Sequence, residues 1–224
     1  MATIFIIISI LLFFLIGFIK LYRIHSRTLK KHDFACEYRN KFIEFANKYF
    51  EQYDRWSKSG NLDNELYVWL TKNVSKIQSN VGSSGLVSYK PAFQDYIINN
   101  YQLIINTIPK FRDGQVENFD VTSVDDCLLR YIGYIEERDK VTLKNLKNPI
   151  IWFRIGFQEI ISIPFFILNW FGIFSKRTVN GIMESTFYKI LTGIIALVTL
   201  LSGIVTIIQG KEKTIEFINR ILGN

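Results

Sequence analysis

The 224-residue sequence has few of the residues that form cross-links and metal centres. It contains two histidines and two cysteines, and Cys36 and Cys127 lie far apart without a CxxC pair. A disulfide framework is therefore not expected, and the composition is typical of a reducing compartment. His32 and Cys36 stand four residues apart, but one helix presenting two ligands is too little for a metal centre. We predict neither a metal site nor a cofactor.

Motifs of catalysis and nucleotide binding are also missing from the sequence. It contains no GxxxxGK, GxGxxG or GxSxG element. The acidic residues Glu136, Glu137 and Asp139 belong to the stretch EERDK, which is typical of a solvated helix face with ion pairs at four-residue spacing. We therefore predict no catalytic residues and no enzymatic activity.

The positive charge is too small to indicate a nucleic-acid-binding domain. The formal net charge is +7, from 27 Lys and Arg against 20 Asp and Glu. Residues 21–148 hold 19 basic and 16 acidic residues, so the polar middle of the chain is close to neutral. Nucleic-acid domains concentrate basic residues far more strongly, and no nucleic-acid partner is expected.

An uncharged run at the N-terminus predicts a membrane anchor. Residues 2–19 carry no charge, and at ~1.5 Å per residue a helix of this length just spans a hydrocarbon core of ~30 Å. Basic residues follow the run instead of preceding it, so residues 1–20 are predicted to be an uncleaved anchor with the N-terminus outside and the main domain in the cytoplasm. The residues predicted to contact lipid headgroups are Lys20, Arg23, Arg27, Lys30 and Lys31.

A second uncharged run near the C-terminus predicts another transmembrane helix. Residues 190–208 carry no charge, so we place this helix at residues 190–210, with a short amphipathic tail at 211–224. The chain is therefore predicted to be an integral membrane protein. Its richness in Ile, Asn and Lys indicates an AT-rich genome and favours a bacterial cytoplasmic membrane.

Small residues recur along the C-terminal run at alternating steps of four and three. They are Thr192, Ala196, Thr199, Gly203, Thr206 and Gly210, and we call them the small-residue face. Helices in lipid associate by close packing, and a spacing of about 3.5 residues is that of a left-handed crossing of roughly 20°. The partner is either the first span of the same chain or a second copy. After Ala2 and Thr3 at its start, the first span offers only Ser9 and Gly17 as small residues, which favours a homo-oligomer.

Residues 149–177 combine eight aromatic residues with one polar stripe. The stripe consists of Arg154, Gln158, Glu159 and Asn169. Polar and aromatic side chains together suit the headgroup region, and Pro164 is expected to break or kink a continuous helix. We predict an interfacial or re-entrant amphipathic hairpin in preference to a third span. The stripe could alternatively line a pore.

The segment 21–148 is predicted to be an antiparallel helical bundle. Apolar residues at helical spacing indicate a first helix to Ser57 and a second over 65–81. A third is expected from Pro91 to Ile108, and a fourth from Ser123. The predicted fold is an all-α membrane protein, with N- and C-terminal transmembrane helices flanking this cytoplasmic bundle.

Two functions fit this plan. The first is a membrane-anchored interaction or regulatory protein, whose cytoplasmic bundle binds an unidentified protein and whose C-terminal span self-associates. The second is a membrane-perturbing effector, of the toxin, phage-exclusion or abortive-infection type, in which oligomerisation gates a leak. The lipid bilayer is a partner in both.

Overall fold

A computed structural model describes residues 2–51, 53, 60–90 and 95–209, which are mostly helical. Its elements, in chain order, are α1 (Ala2–Glu51), α2 (Asn64–Val81), a 3-10 turn (Gly82–Gly85), β1 (Leu86–Tyr89), β2 (Ile98–Gln102), α3 (Leu103–Arg112), α4 (Asn118–Leu146), α5 (Pro149–Trp170), α6 (Lys176–Glu184) and α7 (Thr186–Gln209). The predicted tail at 211–224 lies outside the described residues.

Three helices are long and apolar enough to cross a membrane, namely α1, α5 and α7. This is consistent with a membrane protein, and it confirms that the two uncharged runs form helices of spanning length. The third helix of spanning length is α5. Its length and composition fit a membrane crossing as well as an interfacial position.

Of the break or kink predicted at Pro164, the break is wrong, because α5 runs through this residue without interruption. A proline removes one backbone hydrogen bond, and an otherwise apolar helix packed against neighbours tolerates that loss. The chain turns later, at Gly172, whose positive φ of 76° suits a residue without a side chain.

The chain divides into two compact units, one of them Arg27–Lys140 and the other made of the residues up to Ser26 and from Val141 onward. The core of Arg27–Lys140, the polar unit, is aromatic. The Phe111 ring lies 6.2 Å from that of Phe42, 4.8 Å from that of Phe45 and 5.1 Å from that of Tyr49, measured between centroids. Burial of several large rings in one place stabilises this unit.

The predicted second helix is confirmed as α2, with Leu70, Ile77 and Val81 buried on one face. Asp63 caps its N-terminus, since the side chain accepts hydrogen bonds from the backbone N–H groups of Glu65 and Leu66. The N–H of Leu66, together with the ammonium of Lys48, lowers the pKa of the Asp63 carboxyl below its usual value.

The predicted third helix is wrong over Ile98–Gln102, which forms a strand paired antiparallel with Leu86–Tyr89. The apolar residues there follow helical spacing by coincidence. Two consecutive asparagines favour neither regular structure, and Asn100 takes a left-handed conformation with φ of 58° that asparagine tolerates better than most residues. The sheet also makes the fold mostly helical, not all-α.

The hairpin is attached to α2 through one buried side chain. The Gln78 amide nitrogen donates to the carbonyl of Gly85 at 3.0 Å, and its amide oxygen accepts from the N–H of Ile104 at 3.1 Å. Because Gly85 precedes β1 and Ile104 follows β2, one amide holds both ends of the hairpin.

Helix α4 begins at Asn118, more than a turn before the predicted start at Ser123. The side chain of Asp120 in its first turn accepts a hydrogen bond from the N–H of Glu117. Further along, the Asp125 carboxylate accepts two hydrogen bonds from the Arg39 guanidinium, at 2.6 and 3.1 Å. This bidentate pair fixes α4 against α1 within the polar unit.

Candidate functional site

Helices α1 and α5 cross at two glycines. A Cβ atom on Gly17 would overlap the backbone carbonyl of Trp152, and one on Gly156 would overlap that of Phe13. The two backbones therefore touch directly. Such an approach is available only to residues without a side chain.

Aromatic rings pack around this glycine crossing. The Phe13 ring meets Phe153 and Phe157 edge-on, with centroids 5.4 and 5.5 Å apart. Phe153 and Phe157 are buried together with Ala196 of α7. One apolar cluster thus joins α1, α5 and α7.

Polar contacts inside the same unit hold two members of the predicted stripe. The Lys20 ammonium lies 3.0 Å from the Glu159 carboxylate, and the Gln158 amide donates to the Thr192 hydroxyl at 3.0 Å. Thr192 in turn donates to the carbonyl of Tyr188 at 2.7 Å. These contacts join α5 to both α1 and α7.

The other two members of the stripe differ from each other. Asn169 donates to the carbonyl of Phe174 at 2.7 Å and so closes the turn after α5. Arg154 is exposed on the surface. The stripe is therefore not one uniform polar lining.

The small-residue face is divided between the interior of the unit and its surface. Thr192, Ala196 and Gly203 are buried, and a Cβ on Gly203 would come within 2.6 Å of the Ile10 side chain. Thr199 and Thr206 are half-buried. Gly210 lies outside the described residues. The buried members pack on helices of the same chain.

The residues predicted to contact lipid headgroups follow one another along α1. Lys20 is half-buried beside Glu159. The others, Arg23, Arg27, Lys30 and Lys31, are exposed.

A cleft of about 630 Å³ opens in the polar unit between the end of α2 and α4, and we call it the α2–α4 cleft. Its lining residues are Asn80, Val81, Gly82, Ser83, Ser84, Cys127, Arg130, Tyr131 and Tyr134. The volume lies within the ~300–1,000 Å³ typical of ligand pockets. The GSSG turn forms one wall because Gly82, with φ of 62°, turns the chain sharply at the end of α2.

The thiol of Cys127 in the α2–α4 cleft is not set up as a nucleophile. Burial raises the pKa of the Cys127 thiol, and the thiol donates to the carbonyl of Ser84 at 3.5 Å. A protonated thiol is a poor nucleophile. Tyr134 is 61% exposed, and the Arg130 guanidinium donates to the carbonyl of Asp126.

His32, next to Cys36 on α1, contacts Glu136, which lies 104 residues further along the chain. The His32 ring nitrogen lies 3.2 Å from the Glu136 carboxylate and 3.7 Å from the Cys36 sulfur. Even so, within the described ranges no three His, Cys, Asp or Glu residues are arranged to hold a metal ion.

Sequence reasoning missed two features of this structure. The α2–α4 cleft could not be recognised in the sequence. The GSSG segment lines a cleft only because α4 packs beside it. Gly17 and Gly156 each stand alone in their helices, without a spaced motif. Comparisons with protein families, curated protein sequences and solved structures find no match to this chain.

Proposed function

We propose that the protein is a membrane-anchored interaction protein, with the α2–α4 cleft as the binding site for a regulatory partner. The observation that favours this most is that an exposed tyrosine, Tyr134, and an exposed arginine, Arg130, line the same cleft. Tyr and Arg are over-represented among residues that dominate binding energy. The polar unit would face the cytoplasm, as the basic residues after the first span favour.

The lining of the cleft indicates the chemistry of the partner. Arg130 can form charge-assisted hydrogen bonds with a carboxylate, while Asn80, Ser83 and Ser84 offer uncharged donors and acceptors. Tyr134 supplies a flat apolar surface with a polar end. An extended protein segment with an acidic side chain meets these requirements.

The leak hypothesis has less support from the arrangement of polar groups. A pore lining needs polar side chains that face water, but Gln158 and Glu159 bind Thr192 and Lys20 within their own unit. We therefore propose the interaction function and keep the leak as the alternative that a membrane-potential assay would detect.

Photo-crosslinking in living bacteria tests the cleft. We expect a photoreactive phenylalanine analogue in place of Tyr134 to give a discrete crosslinked product. Arg130→Glu in the same chain should reduce that product about tenfold or more, because the charge reversal repels an acidic partner. The measurement is the intensity of the product on a denaturing gel.

Two controls sharpen this test. The same analogue in place of Phe119, which is 75% exposed elsewhere on α4, should not give the product. Lys72→Glu on the exposed surface of α2 should leave it unchanged. An identical product from both positions, or one indifferent to Arg130→Glu, would contradict the proposal.

Self-association through α7 remains part of the proposal, restricted to the surface that the fold leaves open. Thr199 and Thr206 are half-buried and line a groove of about 310 Å³ together with Ser202, Gly203, Val198 and Ile6. Small side chains along this groove let a second α7 approach closely. A C2 pair would bring Thr199 near its own symmetry copy.

Cysteine crosslinking tests this contact. In a chain with Cys36→Ser and Cys127→Ala, we expect Thr199→Cys to form a disulfide-linked dimer, since a disulfide needs Cα atoms about 4.4–6.8 Å apart. Leu201→Cys is the matched control, because it lies at the same depth about 200° around the helix. Equal dimer yield at both positions, or no dimer at Thr199, counts against self-association.

A further inference from the structure

The surface between α5 and α7 contains a second cavity, of about 500 Å³ and mainly apolar. Its lining residues are Ile150, Phe153, Arg154, Thr186, Lys189, Ile190, Gly193, Ile194, Ala196, Leu197 and Leu200. Along α7 it extends from Thr186 to Leu200, a distance of about 21 Å at the helical rise. One leaflet occupies about half of a ~30 Å hydrocarbon core, so the cavity is long enough for an acyl chain.

Two cations lie on this apolar cavity, Arg154 from α5 and Lys189 from α7. Both are exposed, and in the part of the chain that the structure describes neither side chain has a hydrogen bond or an ion pair. Arg154 differs in this respect from Gln158 and Glu159, whose partners are in the same unit. Among the described residues these two cations have no carboxylate partner, so the edge of an acyl-sized groove carries positive charge that an anionic group can neutralise.

We infer that this cavity binds an anionic phospholipid, with one acyl chain along the groove and the phosphate held by Arg154 and Lys189. Basic pockets between membrane helices recognise lipid headgroups by this combination of charge and apolar surface. Arginine offers several donors to phosphate oxygens, and lysine adds a flexible point charge that reaches toward the membrane surface.

Gly193 keeps the floor of the groove low. A Cβ atom added there meets no other atom within 4 Å, so its place is open space and not a tight helix contact. A larger apolar side chain at this position therefore begins in open space, and we expect it to occupy the cavity. The headgroup and acyl parts of the site can therefore be changed independently.

The test is native mass spectrometry of the full-length protein from nanodiscs that contain phosphatidylcholine and phosphatidylglycerol. We expect the wild type to retain phosphatidylglycerol preferentially. Arg154→Gln and Lys189→Gln should each weaken the preference about fivefold, the effect of one basic residue at a membrane surface. Gly193→Leu should reduce retention of lipid with either headgroup.

Arg177→Gln is the matched control, since Arg177 is exposed on α6 and does not line the cavity. It should leave the preference unchanged. Equal retention of the two lipids by wild type, or a preference that survives in the Arg154→Gln, Lys189→Gln double variant, overturns the inference. Undiminished lipid retention by Gly193→Leu would also overturn it. Displacement of the lipid by soluble glycerol phosphate would do the same.

This site depends on the membrane location that the proposed function also uses, but not on the α2–α4 cleft. The residues tested here, in α5 and α7, differ from those tested by crosslinking at Tyr134. If the protein retains anionic lipid but gives no crosslink at Tyr134, the proposed interaction function is contradicted and the proposed lipid site is supported.

Discussion

Gly17→Ala and Gly156→Ala are each expected to destabilise the packing of α1 on α5 by at least ~1–3 kcal/mol, the usual cost of overpacking. Each adds a Cβ that overlaps a backbone carbonyl of the other helix. A flexible side chain could move aside, but a backbone can yield only if the helices separate. Separation would also loosen the contacts of Phe13 with Phe153 and Phe157.

The double variant distinguishes a direct crossing from two unrelated effects. Once one alanine has moved the helices apart, the second finds room, so the combined loss should be clearly smaller than the sum. The measurement is the thermal or denaturant-induced unfolding of the full-length protein in detergent. Gly193→Ala, where the added Cβ meets nothing, is the control. Equal effects at Gly17 and Gly193 would contradict the backbone contact.

Phe111→Ala is expected to destabilise the polar unit by about 3–5 kcal/mol, as for other fully buried phenylalanines. The ring is 1% exposed and touches the rings of Phe42, Phe45 and Tyr49. Its removal leaves a cavity between α1 and α3 that rigid aromatic neighbours fill poorly. Hydrogen–deuterium exchange of the full-length protein should show faster exchange of the α3 and α4 amides.

Phe119→Ala is the matched control for the loss of a phenyl ring. Phe119 is 75% exposed, so its replacement should change the opening free energy of the same amides, as measured by hydrogen exchange, by no more than ~0.5 kcal/mol. If Phe111→Ala behaved like Phe119→Ala, the aromatic cluster would not be the main source of stability in this unit.

The parts of the fold that follow from local periodicity could be predicted. The uncharged runs of α1 and α7 and the amphipathic face of α2 each contain their signal within one segment. Individual charged residues could also be identified from the sequence. Lys20 directly follows an uncharged run, and Arg154 lies within a mainly apolar segment.

The hairpin could not be predicted, because its strands depend on each other. Neither LVSY nor INNYQ is long enough to identify a strand by alternation, and Ile97, Tyr101 and Ile104 imitate a helical period. The strands form because they pair with each other although eight residues separate them in the sequence, which is a non-local interaction.

The candidate sites were harder still, since each is made by two elements that meet. The α2–α4 cleft needs the GSSG turn and Arg130 together, and the cavity proposed to bind lipid needs Arg154 and Lys189 on the same groove. The stripe containing Arg154 was recognised, but its division into partnered and unpartnered members depends on α1 and α7. The same dependence explains why the small-residue face could not be assigned to a partner from its spacing.

The two hydrogen bonds of the Gln78 amide should let the hairpin tolerate an insertion. Because one amide holds Gly85 and Ile104, the chain between them can change in length while α2 and α3 stay joined. The entropic cost of closing a longer loop rises only slowly, by ~0.6 kcal/mol for each doubling. We therefore expect the segment between β1 and β2, and not the strands themselves, to accept a grafted epitope or fluorescent reporter, since Val87 and Leu103 belong to the core of the polar unit.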